Sequence, residues 1–327
     1  MATISHPAFR NLIEKFGGCD EYFTEMINAG TLLTGGQFES YYINPAPVPE
    51  KIVWQLTGHD SEHMVEAARR LSNLPGIGID INMGCSAPDI YKYGAGISWM
   101  IKDREETQKM VRAVRAVVPA DKRLSVKLRL GDDNFTDKGF FDFCDMLVGE
   151  GVELLTLHPR TKKEKLVRPP RYGYCQQLAE RYRTSGRGDQ PLPIYLNGNV
   201  KDAASYKNAL ARCPDVAGVM ISRAAVQKPW IFMSLNKDSR VKPENDTISM
   251  ETLCLEYIDL IEQYQPPEFH KTRLQRFFTY FCQNFKFAHY AQTLFVNAAA
   301  KGNEALRNAI HEFFEKCPDE REIIIHP

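Results

Sequence analysis

The feature that most constrains this chain is an alternation that keeps returning. A short apolar run exits through polar or glycine residues, and a stretch of helical periodicity follows it. Strand patterns read at Ile52 to Gly58, Gly78 to Gly84, Leu124 to Leu130, Leu154 to His158, Ile194 to Gly198 and Gly218 to Ser222, with a shorter one at Tyr22 to Ile27. Helical patterns lie between them, such as Glu62 to Leu71, with Met64, Val65, Ala68 and Leu71 on one face, and Glu105 to Val118. A first helix reads at Pro7 to Phe16. Such alternation means parallel strands joined by crossover helices. A doubly wound sheet would place a glycine-rich turn after its first strand, and none is present. The expected fold class is α/β, a (β/α)8 TIM barrel one strand short at its amino end, since seven strands are read where eight close a barrel.

Residues 236 to 249 are polar, carry Pro243 and read as a linker. Beyond them the strand signal stops. Met250 to Gln263, Lys271 to Phe285, Ala288 to Ala300 and Glu304 to Cys317 suit helices, so a small all-α bundle is expected. The domains are then 1–240, a catalytic barrel, and 249–327, a helical domain. With 327 residues, 43% of them apolar, the chain can bury a sizeable core. No run approaches the ~18 apolar residues of a membrane span, and the start lacks a secretion pattern. The expectation is a soluble, cytoplasmic monomer. The eight cysteines include no Cys-x-x-Cys pair, which argues against a zinc site or a disulfide framework and for reduced thiols. Net charge is zero, so a nucleic acid would have to be held by local patches.

The polar strand exits carry the chemistry. Gln55, Cys85, Lys127, His158, Asn197 and Ser222-Arg223 stand at or just beyond the carboxyl ends of their strands, the face where barrel enzymes act. Cys85 follows Asn82-Met83-Gly84, and a free thiol there can be core residue, nucleophile or proton donor. Lys127 and Arg129 share one side of their strand, and an inward lysine between Val126 and Leu128 calls for an anion or a polar ring. A rim lysine paired with a carboxylate is the alternative. Gly198, between Asn197 and Asn199, permits close backbone approach, and Ser222-Arg223-Ala224-Ala225 offers amides and an arginine where barrels commonly hold phosphate. Together these exits suggest a phosphorylated planar cofactor.

Two basic patches stand out. Arg160 to Arg171 has six basic residues against one acidic, on a loop at the catalytic face. The second is His270 to Arg276, where Lys271, Arg273 and Arg276 can share a face opposite the aromatics Phe277 to Phe287; those aromatics suit a bundle core better than a base-stacking platform.

At this point the chain resembles the flavin-dependent tRNA-dihydrouridine synthases. Asn82-Met83-Gly84-Cys85 with Gly94-Ala95-Gly96 is similar to their catalytic-cysteine motif, and the likeness runs through the other strand exits to Lys271–Phe278 at the start of their tRNA-binding bundle. The resemblance implies FMN in the barrel mouth, reduced by NADPH, and a tRNA uridine turned out of its stack. Hydride would go from flavin to C6, and a proton from Cys85 to C5. It implies FMN contacts at Met1, Ala2, Gln55, Lys127, His158, Asn197, Gly198, Asn199, Ser222 and Arg223. RNA contacts are implied at Asn82, which would face the uracil, and at Arg160, Lys271, Arg273 and Arg276. No metal is implied.

Three departures accompany it. Ser86 follows the cysteine where the family has proline, and Ser222-Arg223-Ala224 replaces Gly-Arg-Gly. Met1 to Arg10 is similar to the segment after the family's first strand, so the expectation is that Met1 corresponds to an internal methionine. Two other functions compete: an FMN barrel reductase of a free pyrimidine, which the basic segments disfavour, and a non-catalytic RNA-binding relative, which Cys85 and Lys127 disfavour.

Overall fold

A computed structural model describes residues 2–164, 167–235 and 247–325. Most of the expected linker (236–246), the expected cofactor contact Met1, and Lys165 and Leu166 of the basic loop lie outside the described residues.

The strands are β1 (Tyr22–Phe23), β2 (Ile27–Asn28), β3 (Ile52–Thr57), β4 (Gly78–Met83), β5 (Arg123–Leu128), β6 (Leu154–Leu157), β7 (Ile194–Asn197) and β8 (Gly218–Met220). All pair in parallel, in the order β1, β3, β4, β5, β6, β7, β8, with β2 also on β3. β1 and β2 are two halves of one strand position. Phe23 pairs with Val53 and Ile27 with Leu56, so one extra residue bulges out between them. The Thr24 hydroxyl fills the gap in the ladder by accepting from the Gln55 amide at 3.0 Å.

The sheet curls into a partial barrel. Tyr195 on β7 donates to Glu21, just before β1, at 3.0 Å, and Arg123 on β5 reaches the same carboxylate. Elements from β5, β7 and the approach to β1 thus meet across one interior. Among the described residues no strand pairs with the free edges of β8 or of β1 and β2, so the barrel is open there, in line with the seven strand positions read from sequence.

Helices cover the outside and start where the sequence supplies caps. Asp60 accepts from the His63 amide before Ser61–Ser72, Thr136 from Gly139 before Asp137–Gly149, and Asp202 forms a capping box with Ser205 before Ala203–Arg212. Their apolar stripes, such as Met64, Ala67, Ala68 and Leu71, are buried against the sheet. No helix among the described residues is long and apolar enough to cross a membrane.

The carboxyl-terminal helices Met250–Tyr264, Pro267–Phe281, Ala288–Ala299 and Asn303–Lys316 are those the periodicity predicts, within a few residues. Their core is aromatic: Tyr257, Phe277, Phe278, Phe281, Phe295, Phe313 and Phe314 are fully buried. Tyr257 stacks on Phe277 with centroids 3.8 Å apart. The aromatics after the second basic patch are therefore bundle core, Phe287 excepted, which is half exposed.

The bundle packs on the barrel's first elements. Phe38 meets Phe269 at 4.7 Å, and Arg273 reaches Glu25 in the bulge between β1 and β2.

Candidate active site

Cys85 stands at the turn that ends β4, partly exposed. Its position is fixed from both sides. The Asn82 side-chain oxygen accepts from the Gly84 and Cys85 amides at 3.1 and 2.9 Å, and the Cys85 carbonyl accepts from the Ile97 amide at 3.0 Å. The loop can return this close only because Gly96 has no side chain. Its φ is +61°, and a Cβ would lie 2.5 Å from the Cys85 oxygen.

Below the thiol the barrel interior is polar, because the period of two aims Asp80 and Asn82 inward together and pairs them with Ser125 and Lys127. Asp80 is fully buried and accepts from Ser125 Oγ and from Gln55 Nε2, each at 2.7 Å. Gln55 Oε1 in turn accepts from Asn82 Nδ2 at 3.0 Å. Burial outweighs these bonds and pushes the Asp80 carboxyl up to about 6.

A cluster of cations occupies the neighbouring strand ends. Burial lowers the Lys127 ammonium to about 8 against the attraction of Asp80, and among the described residues that ammonium makes no hydrogen bond. Arg129 donates to the Thr161 carbonyl at 3.2 Å, and Cys85 lies within electrostatic reach of both Lys127 and Arg129. His158 is driven down to about 2, first by burial and then by Lys127, Arg129, Arg160 and Arg223. It is neutral at pH 7, and its Nε2 lies 2.7 Å from the Arg160 guanidinium. A guanidinium can only donate, so Nε2 accepts and the ring proton sits on Nδ1.

The floor beside this cluster is backbone. Gly198 has φ +130°, and a Cβ there would lie 3.0 Å from His158 Cδ2. Asn199 follows in the left-handed region at +57°. Asn197 ties β7 to the next loop by donating to the Met220 carbonyl at 2.7 Å and to Ser222 Oγ at 3.3 Å. Arg223 is exposed at the start of the short helix Arg223–Gln227. Ala2 is exposed at the start of the described chain. A cavity of about 860 Å³ lies at the other end of the barrel, among Ile77, Arg123, Pro191 and Pro193, away from Cys85.

Two expected RNA contacts are corrected. Arg160 is fully buried, donating to the Arg168 carbonyl, to His158 and to Asn199 Oδ1 at 3.0 Å, so it braces the cradle and no RNA phosphate can reach it. Arg273 is also buried, paired with Glu25 at 2.9 Å and lying over the Phe269 ring, because it shares the apolar face of its helix with Leu274 and Phe277. Lys271 and Arg276 do lie exposed. Asn82 is present at the site, with its amide engaged by Gln55 and the Cys85 turn.

The basic loop is partly folded on itself. Glu164 takes Arg171 at 2.6 Å, and Lys162 sits 3.1 Å above the Tyr91 ring, leaving Lys163 and Arg168 exposed. Sequence reasoning missed Asp80, Ser125 and Glu25. For Asp80 the signal was available, as a charge two positions from Asn82 in an apolar strand.

The arrangement defines an α/β barrel whose site is built at the carboxyl ends of its strands, with one positioned thiol beside a cationic, glycine-floored cradle. The chain belongs to the dihydrouridine synthase (Dus) family, which matches residues 1–316. It is 29% identical to an NAD(P)-type tRNA-dihydrouridine(47) synthase-like protein of Mus musculus, over 72% of this chain and 35% of that protein. It is 26% identical to a probable tRNA-dihydrouridine synthase of Helicobacter pylori, over 78% of this chain and 73% of that protein. It is 25% identical to tRNA-dihydrouridine synthase B of Pseudomonas syringae, over 79% and 73%. The match thus spans about a third of the mouse relative's length and about three quarters of the two bacterial ones.

Proposed function

We propose that this protein reduces a uridine of folded tRNA to 5,6-dihydrouridine, with Cys85 as the general acid that protonates C5. The observation that carries this reading is the thiol fixed at the strand-end rim by Asn82, beside a cluster of cations that the interior leaves largely uncompensated. The names of the bacterial and mouse relatives support the same chemistry.

The residues fit FMN. A Cβ on Gly198 would crowd His158 at 3.0 Å, the Lys127 ammonium has no hydrogen-bond partner among the described residues, and Nδ1–H of His158 is a donor likewise unengaged there. Gln55, Lys127, His158, Asn197, Gly198, Asn199, Ser222 and Arg223 would hold it, with Ala2 at the chain's start. When bound it would supply hydride to uracil C6 and be reduced again by NADPH.

The chain's own residues do the rest. Lys127, with its proton retained at pH 7, offers positive charge where the pocket needs to hold an anion. His158, held neutral, donates from Nδ1 and adds no further repulsion to the arginines around it. Cys85 gives up one proton, and the turn bonds from Asn82 keep its backbone from moving as it does so. The uracil carbons are shielded in stacked RNA, so the nucleotide must turn outward to reach the rim. Lys163, Arg168, Lys271 and Arg276 are exposed cations suited to phosphate contacts that position the RNA without reading its sequence.

The test is twofold. Mapping dihydrouridine in tRNA from cells lacking the gene should reveal a lost position. Purified protein should form dihydrouridine on unmodified tRNA, and Cys85→Ala should abolish it. No lost position, together with full activity in Cys85→Ala, would overturn the proposal.

A further inference from the structure

We infer that Asp80 is a positioning residue for the proton donor, acting through Gln55 and Asn82 on the turn that presents Cys85. The inference rests on the function proposed above.

A primary amide has a donor end and an acceptor end of the same shape, so a side chain such as Asn82 can hold a turn or oppose it depending on which way it faces. The Gly84 and Cys85 amides are both donors and need the oxygen of Asn82. These two donors favour one orientation of Asn82, and the next group along reinforces it. Asn82 Nδ2 donates to Gln55 Oε1 at 3.0 Å, which requires Gln55 to point its own nitrogen away, and Gln55 Nε2 donates to Asp80 Oδ2 at 2.7 Å.

A carboxylate has no donor end, so the chain of amides has one consistent polarity, and Asp80 sets it. Ser125 Oγ donates to the other carboxylate oxygen at 2.7 Å, which locks the carboxylate in turn. Asp80 is fully buried and Gln55 and Asn82 nearly so, which leaves little water to substitute for a missing partner. A charge in this interior opposes folding, as its raised proton affinity records. A use at the site accounts for its presence there.

Two variants at position 80 should differ in degree. Asp80→Asn keeps an acceptor. Its oxygen can still take Gln55 Nε2, its nitrogen can donate to Ser125 Oγ, and the hydroxyl can turn to the Ile79 carbonyl, which it already approaches at 3.4 Å. Asp80→Leu keeps the approximate size and removes every acceptor. Gln55 and Asn82 are then free to reverse, which sets donor against donor at the Cys85 turn.

The measurements are steady-state reduction of unmodified tRNA and, independently of cofactor and activity, the alkylation rate of Cys85 by iodoacetamide read by peptide mass spectrometry. Cys19 and Cys317, also partly exposed, serve as internal references. Asp80→Asn, which keeps one acceptor for Gln55, should lower kcat less than Asp80→Leu does. Asp80→Leu should lower kcat by about tenfold or more with KM for tRNA little changed, the penalty of a misplaced acid. Cys85 alkylation should rise several-fold in Asp80→Leu alone, with the reference thiols unmoved.

If Asp80→Leu fails to fold, Gln55→Met breaks the same chain one link later and should give the same change in Cys85 alkylation. A folded Asp80→Leu or Gln55→Met with wild-type alkylation of Cys85 overturns the inference. So does an Asp80→Asn as impaired as Asp80→Leu, which would assign the effect to charge. Wild-type protein inactive on tRNA would instead sink the proposed function while leaving the alkylation result to decide the positioning.

Discussion

Lys127 should be a residue that the fold tolerates at a loss. Its ammonium falls from an ordinary 10.5 to about 8 because burial strips it of water, and the attraction of Asp80 only partly compensates. A fall of that size corresponds to about 3 kcal/mol of opposition to folding at neutral pH, and partial exposure trims this to ~1–3 kcal/mol. Lys127→Met fills a similar volume without the charge. In the ligand-free chain it should therefore raise the urea midpoint at pH 7, while flavin retention and dihydrouridine formation fall. The pH dependence gives the sign independently. Between about 8 and 10.5 the unfolded chain holds a proton on Lys127 that the folded chain has lost, so wild-type stability gains with rising pH across that window and Lys127→Met lacks the gain. The stability difference between the two proteins should accordingly be largest below pH 8 and vanish toward pH 10.5. A Lys127→Met protein that is less stable than wild type at pH 7, or a difference that does not shrink with pH, would refute the reasoning.

Other substitutions test the cradle and the domain contact. Gly198→Ala introduces a Cβ 3.0 Å from His158 Cδ2 at a φ of +130°, so strain and overpacking together should destabilise by ~2–4 kcal/mol and weaken flavin retention; a melting temperature and flavin content equal to wild type would contradict this. Arg273→Met leaves the Glu25 carboxylate buried without its partner and should destabilise by ~3–5 kcal/mol, whereas Arg273→Met with Glu25→Leu should recover most of the loss in a denaturant titration. Were Arg273 an RNA contact, the double variant would instead recover stability and lose tRNA affinity, which a binding titration distinguishes.

Much of this architecture was legible because parallel strands buried on both faces read as apolar runs, and their polar exits then stand out at the carboxyl ends. The seven strand positions, their order and the four tail helices follow from that pattern. What periodicity could not supply was the bulge between β1 and β2. Tyr22 to Ile27 reads as one strand, and only the register against β3 shows the extra residue that carries Glu25 to the bundle. Arg273 was misplaced for a related reason. Lys271, Arg273 and Arg276 look like one basic stripe, but at 100° per residue Arg273 falls on the side of Leu274 and Phe277, and burial there is tolerable only with a carboxylate from a distant part of the chain.

The site divides along the same line. Residues that end strands, such as Cys85, Lys127, His158 and Asn197, announce themselves by being polar after apolar runs. Residues that hold those in place announce themselves less. Arg160 sits in a basic loop and reads as a surface charge, yet three hydrogen bonds commit it to the cradle wall. Its guanidinium fixes the tautomer of His158, and so decides that the free ring nitrogen is a donor, a consequence no spacing rule expresses. Asp80 does the equivalent for the amides beneath Cys85. In both cases a group with only one kind of hydrogen-bonding end sets the direction of groups that have two. The polarity of the whole rim therefore traces to one buried cation and one buried carboxylate, each from a stretch whose sequence alone gives no hint of which neighbour it will meet.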